Sequence, residues 1–279
     1  MKPSLCLENL QTCELVAQDM RQDILRMGLQ TGLNGAHFGG GLSLVEIMAV
    51  LYKSVMRVNP AAPRWPERDR FILSKGHGAM AYYAALKQAG FVTDEELMTF
   101  KSNQTFLYGH PSMNPDKGIE FSSGSLGLGL ALGVGTAIGL RKRGNNQSRV
   151  FVLMGDGECG EGSVWESAAS AAHFGLTNLV AIIDKNGLQY DGPTRDVLNM
   201  DGMAEKWESF GWQARTVDGH NLAELLDAFE GPGNQPTVIV ANTVKGKGVS
   251  FMENNPAWHH NRLTQAQFDE LTAARGVNS

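Results

Sequence analysis

The sequence predicts an α/β protein: a parallel sheet with helices on both faces, preceded by a helical N-terminal region. Three observations lead there. The runs at 150–154, 179–183 and 237–241 are short and apolar throughout, as strands covered on both faces are. Segments with helical apolar spacing, at 163–174, 203–210 and 222–229, fall between them, the pattern of right-handed βαβ crossovers. The first two runs also end directly in polar, glycine-containing loops, and ligands of such sheets sit at the carboxyl ends of the strands.

In chain order, residues 7–27 and 43–55 carry helical spacing, and Ser43 with Glu46 reads as a capping box opening the second. Three prolines between Asn59 and Arg68 mark a surface loop leading to the apolar run Phe71-Ile72-Leu73, after which a helix begins near His77. The only long uncharged stretch, 121–140, is rich in Gly and Ser and lacks the apolarity of a membrane span, so it reads as buried. No repeat or strong linker divides the chain, and residues 1–279 are expected to form a single domain.

With 279 residues, 42% of them hydrophobic, the chain can bury a large core. A net charge of −5, with Arg141-Lys142-Arg143 the densest basic cluster, argues against nucleic acid. Glu8, Glu14 and Asp19 stand where a secretory signal needs an apolar core, so a cytoplasmic location is expected. Cys6, Cys13 and Cys159 form no CxxC pair and read as reduced thiols.

The run at 150–154 leads into Gly155-Asp156-Gly157-Glu158, and the run at 179–183 into Asp184-Lys185-Asn186-Gly187-Leu188. Both motifs therefore emerge at one sheet edge. A carboxylate from Asp156, an amide oxygen from Asn186 and the carbonyl of Leu188 form a hard-oxygen set for Mg2+, with Ca2+ or Mn2+ as substitutes, and leave positions for diphosphate oxygens. Gly155 and Gly157 let backbone approach an anion closely. An isolated Gly-Asp-Gly is a common turn; Asn186, following Asp156 by 30 positions across one βα unit, gives it weight.

This pairing resembles the thiamine-diphosphate signature shared by transketolases and the 2-oxoacid dehydrogenases. Gly160-Glu161-Gly162, Trp165-Glu166 and the run from Asn186 to Gly192 resemble the transketolase branch, and the similarity extends over nearly the whole chain. The resemblance implies the thiamine-diphosphate-binding fold, specifically its diphosphate-binding domain, with thiamine diphosphate and a divalent metal as cofactors.

Four histidine contexts lie beside glycine or proline or in loops: Gly35-Ala36-His37, Gly76-His77-Gly78, Gly109-His110-Pro111 and Trp258-His259-His260. One such histidine alone would read as a packing residue. The resemblance assigns His37, His110 and His259 to the substrate side, where protons move on hydroxyl oxygens, His259 also to the cofactor, and His77 to the diphosphate. The pair His259-His260 leaves open which ring faces the site; His259 matches the family's histidine. The run 122–127 resembles the family's loop against the cofactor, with Gly124, Ser125 and Leu126 as contacts and Gly127, Gly129, Gly133 and Gly135 as helix packing. Glu158 is expected at the cofactor. Glu161 and Glu166 match acidic positions linking cofactor sites across subunits, and Glu161 counts among the catalytic residues. Lys245-Gly246-Lys247-Gly248 reads either as a phosphate cradle or as a solvated turn and stays outside the expected site.

In that family the glutamate that activates the aminopyrimidine belongs to a separate pyrimidine-binding domain, for which this chain has no room. The expected protein is the first subunit of a split transketolase, paired with a pyrimidine-binding subunit in an α2β2 assembly. It would pass a two-carbon ketol unit from a ketose phosphate to an aldose phosphate. Alternatives are the alpha subunit of a 2-oxoacid dehydrogenase, an enzyme of branched, sulfonated or deoxy sugars, and a non-catalytic subunit retaining the fold.

Overall fold

Side chains alternate between the two faces of each central strand, and that alternation decides the layers. The computed structural model describes residues 3–231 and 233–276. Helix α1 (Pro3–Gln30) buries Cys13, Val16, Ala17, Met20, Ile24 and Met27 at helical spacing and exceeds the predicted 7–27 at both ends. Two short helices follow, α2 (Phe38–Leu42) and α3 (Val45–Val50), and α3 runs into a π-type turn over Leu51–Val55. The expected Ser43–Glu46 capping box is absent. Ser43 Oγ instead donates to Asp184 Oδ2 at 2.7 Å, and Glu46 pairs with Arg21 and His220. Tertiary partners outcompete the local cap.

Strand β1 (Arg70–Leu73) is the apolar run of 71–73. A 3-10 turn at Gly76–Gly78 then leads into α4 (Ala79–Gln88), whose first eight residues are all buried. The capping box falls on α5 (Asp94–Leu97), where Thr93 and Glu96 exchange side-chain and backbone hydrogen bonds. Next come α6 (Gly129–Lys142), β2 (Val150–Gly155), α7 (Gly162–His173) and β3 (Leu179–Lys185). Two-residue strands β4 (Leu188–Gln189) and β5 (Gly192–Pro193) form an antiparallel hairpin beside the one-turn α8 (Thr194–Val197). The chain then runs through α9 (Met203–Ser209), β6 (Gln213–Asp218), α10 (Leu222–Ala228), β7 (Thr237–Asn242) and α11 (Gln265–Gly276).

The main sheet has the order β1-β2-β3-β7-β6, parallel throughout. Sequence reading passes over β6 because, at the edge, none of its residues is fully buried and no apolar run marks it. Phe71, Leu73, Phe151, Leu153, Ile182 and Ile239 face the core built with α1, α3 and α4, while Ile72, Val152, Met154, Ala181, Ile183 and Val240 face the core built with α6, α7 and α9. From β3 the chain skips one place to β6 and steps back to β7. The direction thus reverses at β6, so that α9, after β3, and α10, after β6, pack on opposite faces of the sheet, the arrangement in which such sheets open a crevice at the carboxyl ends of their strands.

The stretch 121–140 is only partly buried, against expectation: Leu126, Leu128, Ala131 and Gly135 are exposed. Gly129 and Gly133 do lie against Ser74 and Val152 as packing glycines, but no atom approaches the Cβ position of Gly135. Cys13 and Cys159 are free, buried thiols, and the side chain of Cys6 lies outside the described residues.

Two substitutions on α6 test this packing. Gly129→Ala should destabilise by about 1–3 kcal/mol through overpacking against the Ser74 backbone, whereas Gly135→Ala should stabilise by about 1 kcal/mol through helix propensity. Denaturant unfolding of both variants would read the opposite signs.

Candidate active site

The carboxyl ends of β1, β3 and β7 and the α2–α3 junction converge on one buried carboxylate. Asp184, the penultimate residue of β3, is fully buried and forms an ion pair with Lys75, itself 1% exposed in its side chain. The same carboxylate accepts from Ser43 Oγ, from Asn186 Nδ2 at 2.8 Å and from Thr243 Oγ1. Burial alone would push its carboxyl up. The Lys75 charge, together with bonds from Lys75, Thr243 and Ser43, outweighs burial and holds it below its ordinary range.

Beside this hub lies the expected metal motif. Asp156 Oδ2 accepts from Gly187 N at 2.7 Å and Oδ1 from Gly157 N at 2.9 Å, so Asp156 and the Asn186 loop face each other as predicted. Asp156 is buried, and burial followed by the Asp184 charge raises its pKa. A divalent cation would relieve that penalty. Asn186 Oδ1 lies against Leu188 N at 3.1 Å, and the Leu188 carbonyl accepts from Lys245 Nζ at 2.8 Å. Among the described residues no three His, Cys, Asp or Glu side chains cluster as metal ligands. The Asp156 carboxylate, the Asn186 amide oxygen and the Leu188 carbonyl are hard oxygen donors, a set that suits a hard cation completing its shell with ligand oxygens.

Lys245 corrects the solvated-turn alternative. It is 2% exposed, its Nζ also donates to His259 Nδ1 at 3.1 Å, and burial with the neighbouring Lys75 charge lowers its pKa to about 8. Lys75 and Asp184 are likewise absent from the sequence-derived site. Their signal was position: each lies just past an apolar run ending at the same sheet edge.

Five imidazoles close the other side of the opening. The His37 ring centroid lies 5.9 Å from His77, 5.5 Å from His110, 5.5 Å from His259 and 4.6 Å from His260. Backbone bonds between Ala36 and Asn261 zip the two loops together and bring both His259 and His260 into the group. Gly35 permits this with φ 58°, since a Cβ there would meet the Asn261 carbonyl. Burial, then the charges of neighbouring histidines, lowers His37 to about 3; burial, then Lys245, lowers His259 to about 4. His77, His110 and His260 shift the same way, with burial the leading cause. At neutral pH the cluster is uncharged, each ring holding one N–H and one lone pair.

A cavity of about 180 Å3 adjoins the rings, lined by His37, His77, His110, Lys101 and Met80 among others. A larger one, about 640 Å3, lies at the opposite sheet edge around Arg57, Arg149 and Phe229, away from every motif described above. The Gly124–Leu126 loop is exposed beside His110, and the buried Ser123 hydroxyl next to it has no hydrogen-bond partner, as a ligand-facing group would not. Gly76 carries no Cβ where His110 and Ser123 press against it.

Glu158, expected at the cofactor, is 3% exposed. Its carboxylate accepts from Ser74 Oγ, from Gly127 N at 2.8 Å and from Gly155 N at 3.1 Å, so it braces both glycine loops from beneath. Glu161 is exposed at the start of α7, apart from the histidines, and Glu166 is exposed on the same helix.

Comparison with known proteins places the chain in a family. Residues 17–279 match the family described as transketolase, thiamine diphosphate binding domain. The chain is 44% identical to one of the subunits of apulose-4-phosphate transketolase from Actinobacillus succinogenes, over 81% of this chain and 82% of that protein. It is 39% identical to 6-deoxy-6-sulfo-D-fructose transketolase subunit SqwG of a Clostridium species, over 86% and 88%. Human transketolase is 39% identical over 86% of this chain but only 38% of its own length. The crystal structure of Campylobacter jejuni transketolase superposes with a TM-score of 0.86 at 27% identity, covering 96% of this chain and 43% of that one.

Removing one member of the central ion pair should be costly. Asp184→Asn is expected to lose roughly 3–5 kcal/mol by stranding the Lys75 charge, and Lys75→Met/Asp184→Asn to recover much of it in a double-mutant cycle by denaturant unfolding. The histidines give a pH signature in the ligand-free chain. His37 and His259 take up protons near pH 6.5 when unfolded but only near 3 and 4 when folded. Their contribution to stability is therefore complete above pH 6.5 and lost as pH falls toward 4 for His259 and toward 3 for His37. Thermal unfolding of His37→Asn/His259→Asn should show a flatter pH dependence across that window than the unsubstituted chain.

Proposed function

The chain belongs to the transketolase family, and on that premise we propose that it is the diphosphate-binding subunit of a split transketolase. Residues 1–279 form its single domain, and a pyrimidine-binding partner completes the cofactor site, two copies of each chain making α2β2. The relatives whose names mark them as single subunits match it over most of their length, whereas it spans about two fifths of the longer transketolases, which supports a missing half on another chain.

The observation carrying the reading is the convergence of Asp156, Asn186 and the imidazole cluster on one opening at the carboxyl ends of the strands. Asp156, the Asn186 amide and the Leu188 carbonyl would hold Mg2+, the carbonyl keeping one lone pair for Lys245 Nζ and offering the other to the cation. His77, Gly155, Gly157 and the Gly124–Leu126 loop would receive the diphosphate and thiazolium. When bound, thiamine diphosphate supplies the carbon nucleophile needed to break and make a carbon–carbon bond beside a carbonyl. His37, His110 and His259 hold and move protons at the hydroxyl oxygens of a ketose phosphate donor and an aldose phosphate acceptor, a task suited to uncharged rings that both donate and accept. Glu161, exposed near the loop, would meet the partner or the second copy. Among the described residues no helix is long and apolar enough to cross a membrane, and a cytoplasmic enzyme is consistent with that.

The test is ketol transfer from a ketose phosphate, with Mg2+ and thiamine diphosphate, by this chain alone and mixed with a pyrimidine-binding partner. Activity is expected only in the mixture, and Asp156→Ala should reduce it by at least about 100-fold. Full turnover by the isolated chain would overturn the split assembly, and turnover of pyruvate instead of ketose phosphate would overturn the reaction.

A further inference from the structure

Lys245 is carried on a loop whose backbone is held from two sides by one buried triad. His220 follows β6, and its Nε2 accepts from Val244 N at 2.8 Å. Because that nitrogen accepts from a backbone N–H, the ring proton sits on Nδ1, which donates to Glu46 Oε2 at 2.9 Å. The other Glu46 oxygen pairs with Arg21, and Arg21 Nε donates to the Lys247 carbonyl at 3.3 Å. Glu46 lies on α3 and Arg21 on α1, so rigid helices of the core grip residues 244 and 247. Gly248, with φ 87°, lets the Arg21 guanidinium lie against the loop. Gly246 N adds a bond to the Gly39 carbonyl at 3.1 Å.

Nothing in the chemistry proposed above uses His220, Glu46 or Arg21. All three are about one-tenth exposed in their side chains, and their common product is the placement of the segment bearing Lys245. From this juxtaposition we infer that His220, seated on Glu46, is a positioning residue: it sets the Lys245 ammonium between the Leu188 carbonyl and His259, and so tunes affinity for the cofactor's diphosphate. The function of Lys245 rests on the reading of the site given above; the hold on the loop does not.

Two variants separate the ring's roles. His220→Asn keeps a donor for Glu46 but is too short to reach Val244 N, whereas His220→Gln can still present an acceptor to it. Hydrogen exchange on the full ligand-free chain should show Val244 and its loop amides opening on the order of tenfold faster in His220→Asn and near the original rate in His220→Gln. With the partner present, the apparent dissociation constant for thiamine diphosphate should rise about tenfold in His220→Asn, with kcat at saturating cofactor nearly unchanged, and recover in His220→Gln. Unchanged exchange in His220→Asn would overturn the inference, as would faster exchange without any change in cofactor affinity. If the unsubstituted assembly bound no thiamine diphosphate, the functional reading and the role of Lys245 would both fall, while hydrogen exchange would still decide whether His220 holds the loop.

Discussion

The site is organised around a single buried carboxylate. Asp184 receives Lys75, Ser43 and Asn186 at Oδ2 and Thr243 at Oδ1, four donors on one carboxylate. A buried ion pair stabilises little by itself, because desolvation opposes the Coulombic gain. Its effect here is geometric. The four donors come from the α2–α3 junction, the end of β1, the end of β3 and the end of β7, so one residue fixes the relative placement of four chain segments. Gly40 adds a fifth contact through its carbonyl to Lys75. Where the loops bearing Asp156, His77 and Lys245 sit follows from that constraint.

Charge in the opening is distributed by depth. At the bottom lie Asp184, Asp156 and two lysines, of which Lys75 is matched to Asp184 while Lys245 faces a carbonyl and an imidazole. Further round, five histidines stay uncharged because burial and mutual repulsion both disfavour the protonated form. A polyanion with its cation fits the first region, and a neutral polyhydroxylated chain fits the second. Between them Glu158 braces the two glycine loops through Gly127 N and Gly155 N, contacts that its place in the motif did not reveal.

The sequence determined much of this. Uniformly apolar runs at 150–154, 179–183 and 237–241 had no stable home except a sheet covered on both sides, and the loops following the first two had to emerge together, so the pairing of Asp156 with Asn186 was legible from local pattern alone. The histidine motifs were legible for a similar reason: three of the four sit beside glycine or proline, and their grouping is unusual for core histidines. What only the tertiary structure decided depends on partners distant in sequence. Ser43 and Glu46 had the spacing of a cap, yet residues 141 and 174 positions away claimed their side chains. Edge strand β6 carried no burial pattern to read, and the Lys245 loop read equally as a phosphate cradle or a solvated turn until the fold buried Lys245 against Leu188 and His259. Local propensities fix elements because they act within a few residues; a buried charge takes its meaning from whichever segments the fold brings to it, and no local pattern encodes that.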